Sequence, residues 1–177
     1  MVDRTLAVPA LLQDLVQQGV WPADWDQARD FESAYSDSDA SSRHRTELLK
    51  RYGPKKVPLE RIRLIHPNET RLCLFPPPFL PSRQHTHCAW HLKGPAEGFF
   101  APEEIDRDLM IEIGDFGHGA DQPIILDFQK DPKAPNVCRL VLSIVRSGPE
   151  GRRKSWNNHW IEIAPSFDHF ARLLGFV

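Results

Sequence analysis

Three groups of residues in this chain have the types and spacing to do chemistry. The first is His85-Thr86-His87-Cys88-Ala89-Trp90-His91. On a strand, the period of two places His85, His87 and His91 on one face, and three imidazoles are a ligand set for zinc or nickel. Same-face positions lie about 6.5 Å apart, however, so three of them span too far to reach one ion. No fourth ligand or supporting acid can be assigned, and no metal is expected. The second group is Asp115, Gly117, Gly119 and Asp121, whose two carboxylates could face a hard cation; calcium wants six or more oxygens, which this spacing does not supply. The third is nucleophile-base pairs such as Cys88 with His118, or Ser166 with a histidine. With eight histidines such pairs arise by chance, and no nucleophile elbow, phosphate-cradling glycine loop or metalloprotease signature supports one. The chain is therefore expected to be neither an enzyme nor a cofactor binder.

The element that must position these groups is the stretch LMIEIGDFGHGADQPIILD, residues 109–127. Leu109, Ile111 and Ile113 alternate with Met110 and Glu112; Ile124, Leu126 and Phe128 alternate with Ile125, Asp127 and Gln129. Each run reads as a strand with one buried face, and the two should pair. Gly114, Asp115, Gly117, Gly119 and Asp121 between them allow positive φ and side-chain-to-backbone turns. The reading is a β-hairpin with a long polar loop. Its aspartates either cap loose backbone N–H groups or form a surface for a partner.

Along the rest of the chain, Pro9 followed by Leu11, Leu12, Leu15 and Val16 marks an amphipathic helix ending near Gln18, with Gly19 as the stop. Trp21 and Trp25 anchor the next segment on the core or make a binding ridge. Residues 35–42 read as a polar loop, and Arg43 to Tyr52 as a short basic helix ended by Gly53-Pro54. Ile62, Leu64 and Ile65 suggest a turn or edge strand, and Leu72 with Leu74 a strand ended by three prolines. Ala101 to Ile105 reads as one helical turn. Val137 to Arg146 is apolar on both sides, as in a central strand. Residues 148–155 form a basic exposed loop; His159, Ile161 and Ile163 mark a last strand; Phe167, Phe170, Ala171 and Leu174 line a closing helix stopped by Gly175. The fold class is α+β, a mainly antiparallel sheet of about five strands covered on one face by helices. One domain is expected over 1–177, with a helical part at 1–58 and the sheet and last helix at 59–177.

At 177 residues the chain can bury about 70% of its unfolded surface without a staple. Cys73, Cys88 and Cys138 are odd in number and lack metal spacing. Neither a signal peptide nor a membrane span is evident, so a cytoplasmic protein with reduced thiols is expected. The net charge of −2 is too small to argue for nucleic acid, and neither a nucleic-acid nor a membrane partner is expected. Counting Lys and Arg against Asp and Glu gives −6 for residues 1–42, +8 for 43–93, −7 for 94–136 and +3 for 137–177. Clustered acids near the hairpin would suit a basic partner such as the groove of a nuclease.

The run Ile113-Gly114-Asp115-Phe116-Gly117-His118-Gly119-Ala120-Asp121, then Pro123-Ile124-Ile125-Leu126-Asp127, and finally Ile163-Ala164-Pro165-Ser166-Phe167-Asp168-His169-Phe170 resembles the SUKH superfamily, nearest to bacterial relatives of the yeast Smi/Knr cell-wall regulators. The resemblance covers about residues 60–177. It implies an α+β domain on an antiparallel sheet, without catalytic machinery, and in many bacterial members an immunity protein that neutralises a nuclease or deaminase toxin by binding it. One departure is Val145 to Asn158, longer and more basic than the usual link before the last strand. On this reading Asp115, His118, Asp121, Asp127 and Trp156 contribute to a toxin-binding surface, while Gly114, Gly117, Gly119, Phe167 and Phe170 serve the fold. A regulatory or scaffold module with a non-toxin protein partner, and a small-ligand pocket between helices and sheet, are the alternatives. The expected state is a monomer or weak homodimer.

Overall fold

A computed structural model describes residues 6–27, 57–69, 72–84, 105–116, 122–141, 144–147, 153–156 and 158–177. Its strands are β1 (Leu72–Leu74), β2 (Met110–Phe116), β3 (Gln122–Asp127), β4 (Asn136–Val141), β5 (Ile144–Ser147), β6 (Arg153–Trp156) and β7 (His159–Ala164). The main element is a five-stranded sheet of order β1-β2-β3-β4-β7, antiparallel at every junction. Strands β5 and β6 pair with each other in a separate ribbon. Three α-helices are described: α1 (Ala10–Gln17), α2 (Leu59–Ile65) and α3 (Phe167–Leu174).

The helices form where the apolar spacing is three to four and the ends are capped. In α3, Ser166 Oγ accepts from His169 N at 3.2 Å, and Gly175 closes the other end in the left-handed region at φ +79°. Its apolar stripe of Phe167, Phe170, Ala171 and Leu174 is buried. Helix α1 follows Pro9 and buries Leu12 and Leu15. Helix α2 replaces the turn or edge strand expected around Ile62 to Ile65: the two isoleucines are buried three positions apart, one helical turn, while Leu64 between them is exposed. Trp21 is an anchor rather than a ridge. It is fully buried, donates from Nε1 to Phe75 O at 2.8 Å, and meets Phe167 and Phe176 edge-on at 5.7 and 6.0 Å.

These helices cover one sheet face, where Ile111, Ile113, Ile124, Leu126 and Val137 join the main core. The other face carries a smaller cluster of Ile105, Met110, Ile125 and Cys138, with Trp160 packed against it. Strand β2 is buried along its whole length, so its alternation of Ile with Met and Glu separates two buried faces, not a buried face from a wet one. Gly114 and Asp115, expected in the loop, lie within β2, where a bulge between Glu112 and Gly114 shifts the register. Gly114 stands across from Leu74 of β1, and a Cβ there would lie 2.6 Å from Cys73 O. Glycine is needed for close approach of two backbones, not for a turn.

Within the single strand expected from Val137 to Arg146, residues 142 and 143 lie outside the described residues. Its first part is β4, central between β3 and β7; its second part is β5, in the ribbon. Of the exposed loop expected at 148–155, residues 153–155 belong to β6. The two ladders nevertheless share one register. Val141 is opposite His159, and three residues further Ile144 is opposite Trp156, followed by Val145 with Ser155, Arg146 with Lys154 and Ser147 with Arg153. Strand β3 pairs Ile124 with Arg139 and begins two residues earlier at Gln122, level with Val141. No described helix is long and apolar enough to cross a membrane. The polar loop at 35–42, the basic helix at 43–52, the first four residues of the turn expected at 101–105, and residues 148–152 lie outside the described residues.

Candidate functional site

The described residues with the most polar chemistry gather where the β2–β3 hairpin closes. Asp115, near the end of β2, is 2% exposed, and its Oδ1 accepts from Gln122 N at 3.0 Å. This bond ties together the two strand ends that residues 117–121 connect. The Gln122 side chain is held from both sides: its Nε2 donates to Glu69 Oε1 at 3.0 Å, and its Oε1 accepts from His66 Nε2 at 2.7 Å. Because the amide nitrogen is committed to Glu69, the oxygen must receive a hydrogen, which places one on His66 Nε2. His66 packs edge-on against Phe116, with centroids 5.1 Å apart.

Arg139 reaches the same helix-side face of the sheet, across from Ile124. Burial lowers the pKa of its guanidinium from the usual value, and the charge of Glu69 opposes that shift. His66 Nδ1 and Arg139 Nε are buried without a hydrogen-bond partner among the described residues. Neither residue stands out in the sequence: His66 ends a short helix, and Arg139 interrupts an apolar run. Gln122, Glu69 and Arg139 are recognisable only once β3 and β4 are in register.

A second polar group lies at the opposite end of β3, on the far face. Asp127, 6% exposed, accepts from Gln129 N at 2.9 Å and so closes the turn out of its strand. Asn136 Nδ2 donates to Glu162 Oε2 at 2.9 Å, and Lys130 Nζ donates to the same oxygen at 3.0 Å. The hydrogen bond from Lys130, followed by that from Asn136, holds the Glu162 carboxyl below the usual value; the same contact raises the ammonium of Lys130. Burial first, and then the charges of Asp127 and Glu162, push the Cys138 thiol up to about 12. A thiol so placed stays protonated and is not a nucleophile at neutral pH. Glu112 is a third buried carboxylate, 1% exposed and accepting from Ser82 Oγ at 3.1 Å. Alternation alone turns it outward, because it assumes a strand with only one buried face.

The residues expected to form a binding surface therefore divide. Asp115 and Asp127 are buried and accept from backbone N–H groups, at opposite ends of the hairpin; they serve the fold and do not present carboxylates to a partner. His118 and Asp121 fall in 117–121, outside the described residues, as do Gly117 and Gly119. Trp156 lies in β6, across from Ile144. Of the residues assigned to the fold, Gly114 sits in β2 against β1, and Phe167 and Phe170 are buried on α3. The histidines His85, His87 and His91, and Cys88, lie outside the described residues, and among the described ones no three metal-ligating side chains gather around one point. Ser166 is engaged as the cap of α3. Comparison of the chain with protein-family models, with curated proteins and with solved structures found no match.

Proposed function

We propose that this chain is a non-catalytic protein-binding domain, an immunity protein that binds and neutralises a nuclease or deaminase toxin, with residues 117–121 at the centre of its binding end. The observation that carries this is the closure of the hairpin. Asp115 ties the strand ends together through Gln122 N, and the Gln122 side chain is clamped between His66 and Glu69. Connections held by a rigid base are where recognition residues are placed at least entropic cost. His118 and Asp121 are on this connection, and Asp121 supplies a charge suited to a basic partner. Ser166, one of the nucleophile candidates, is engaged as a helix cap, and the Cys138 thiol is held protonated. The resemblance of 113–127 and 163–170 to SUKH proteins supplies the toxin as partner.

The test is affinity purification of the tagged protein from its native cell, mass spectrometry of what survives a salt wash, and an activity assay of the recovered domain. A nuclease or deaminase domain inhibited at one-to-one stoichiometry supports the proposal, and Asp121→Lys should weaken that complex without changing the melting temperature. Recovery of signalling or housekeeping proteins whose activity this chain does not inhibit refutes the toxin reading and favours a regulatory module.

A further inference from the structure

We propose that Arg139 is the receptor of a small carboxylate anion, which its guanidinium takes side-on through Nε–H and one Nη–H on the helix-side face of the sheet. This ligand site goes beyond the protein-binding reading and does not rest on it.

The position carries the argument. Arg139 is in the middle of β4. On its face of the strand stand Val137 and Val141, two residues to either side, and directly across stand Ile124 of β3 and Ile161 of β7. Ile124 and Val137 belong to the main core. An apolar side chain would complete this set, yet the chain places there a residue that is charged at neutral pH and only 8% exposed. Buried charges are ordinarily paired, and a buried donor left without an acceptor is costly. Arg139 meets neither condition among the described residues. Its Nε is buried with no hydrogen-bond partner, and the described ion pairs join Arg83 to Asp106 and Asp108, and Lys130 to Glu162. A departure from local packing rules that nothing around it offsets is the mark of a functional position.

The neighbours select the ligand. Gln122 stands two residues along from Ile124 on the same face, a diagonal neighbour of Arg139 about 7–8 Å away. The oxygen and the nitrogen of its amide are both engaged, by His66 and by Glu69. His66 Nε2 carries the hydrogen, so its unpartnered Nδ1 is an acceptor and offers an anion no donor. Glu69 is close enough for its charge to be felt at Arg139, and it works against a ligand with two or more negative charges. One guanidinium edge is therefore left for one charge, with no further donors beside it. That fits the two coplanar oxygens of a carboxylate and not the four oxygens of phosphate or sulfate. The apolar residues around the guanidinium keep water from the pair and strengthen it.

The experiment is thermal unfolding of the full chain in acetate, with chloride replacing it at constant ionic strength, beside an NMR titration of the Arg139 Nε–H resonance. The wild type is expected to gain about 3–5 °C for each tenfold rise in acetate above the dissociation constant. The resonance should move and saturate with the same constant. Arg139→Met, which fills the position with an apolar chain, should melt at least as high as the wild type in chloride and gain nothing from acetate. Arg139→Lys, which keeps the charge but loses the fork, should bind several-fold more weakly. Glu69→Gln, which keeps the acceptor for Gln122, should bind several-fold more tightly. Phosphate should give a smaller response than acetate; an equal or larger one that is lost in Arg139→Met overturns the carboxylate assignment. An acetate response shared by Arg139→Met, or none in the wild type, overturns the site. So does an Arg139→Met protein that melts several degrees below the wild type in chloride, because the guanidinium would then be paired within the chain.

Discussion

Substituting Gly114 by alanine tests the packing of the sheet at its tightest point. The added Cβ would lie 2.6 Å from Cys73 O, a backbone atom, whereas an ordinary contact begins near 3.4 Å. Strand β1 would have to retreat by about 0.8 Å, the difference between those distances. It is held at three points: the rung of Leu74 with Gly114, the bond from Phe75 N to Ile113 O at 2.9 Å, and the bond from Trp21 Nε1 to Phe75 O at 2.8 Å. Leu72 and Leu74 are also fully buried. Overpacking of this kind costs about 1–3 kcal/mol. At about 2–4 °C per kcal/mol for a chain of this size, a cost near 2 kcal/mol lowers the melting temperature by about 4–8 °C. The assay is thermal unfolding followed by circular dichroism, with the near-ultraviolet band reporting the packing of the five tryptophans, Trp21 among them. Gly175 is the control: it has φ +79° and nothing within 4 Å of its Cβ position, so Gly175→Ala costs about 1–2 kcal/mol through the backbone alone. Asparagine, which tolerates the left-handed region, should recover part of that loss at 175 and deepen it at 114. A Gly114→Ala protein that melts with the wild type refutes the close approach of β1 and β2.

Other expectations rest on single groups. Cys138, with its thiol pushed up to about 12, has about one molecule in ten thousand as thiolate at pH 8; peptide mapping after alkylation should find it unmodified in the native protein and modified after unfolding. Its raised value stabilises the fold below the ordinary thiol value of 9.0, and that contribution is lost as pH rises from there toward 12. Glu162 behaves oppositely: its lowered value contributes stability above about pH 4.5 that is lost as pH falls through the folded value. Lys130→Met should move the Glu162 carboxyl back toward the ordinary range in an NMR titration, with Asn136 retaining part of the shift. Ser166→Ala removes the bond to His169 N and should cost about 1 kcal/mol in denaturant unfolding.

The sheet was legible in the sequence because its signals are local. Alternation over 109–113 and 124–129, capping by Ser166 and a left-handed Gly175 require no knowledge of neighbours. What depends on neighbours was not legible. Ile62 and Ile65 fit a strand or a helix equally well over so short a run, and only packing against α3 decides. Glu112 and Asp115 carry charges that alternation assigns to water, yet β2 has an apolar cluster on each side, and both carboxylates find donors inside. Asp127 reads as part of an acidic patch, but it is used by its own turn. In the polar network, Gln122 touches residues 53 and 56 positions away in the chain, a separation that no spacing rule covers.

The network at the closed end of the hairpin separates what holds the fold from what would meet a partner. The Gln122 side chain bridges Glu69 and His66, and its backbone N–H donates to Asp115, so one residue joins the segment after α2 to both strands. Gln122→Leu removes the two side-chain bonds and leaves half-buried polar groups behind, which should cost about 1–3 kcal/mol in denaturant unfolding. A partner drawn by the charge of Asp121 should instead weaken as salt rises, because contacts between exposed charges are screened. Loss of affinity in Gln122→Leu at an unchanged stability would refute this division, because it would make Gln122 a contact of the partner and not a brace of the hairpin.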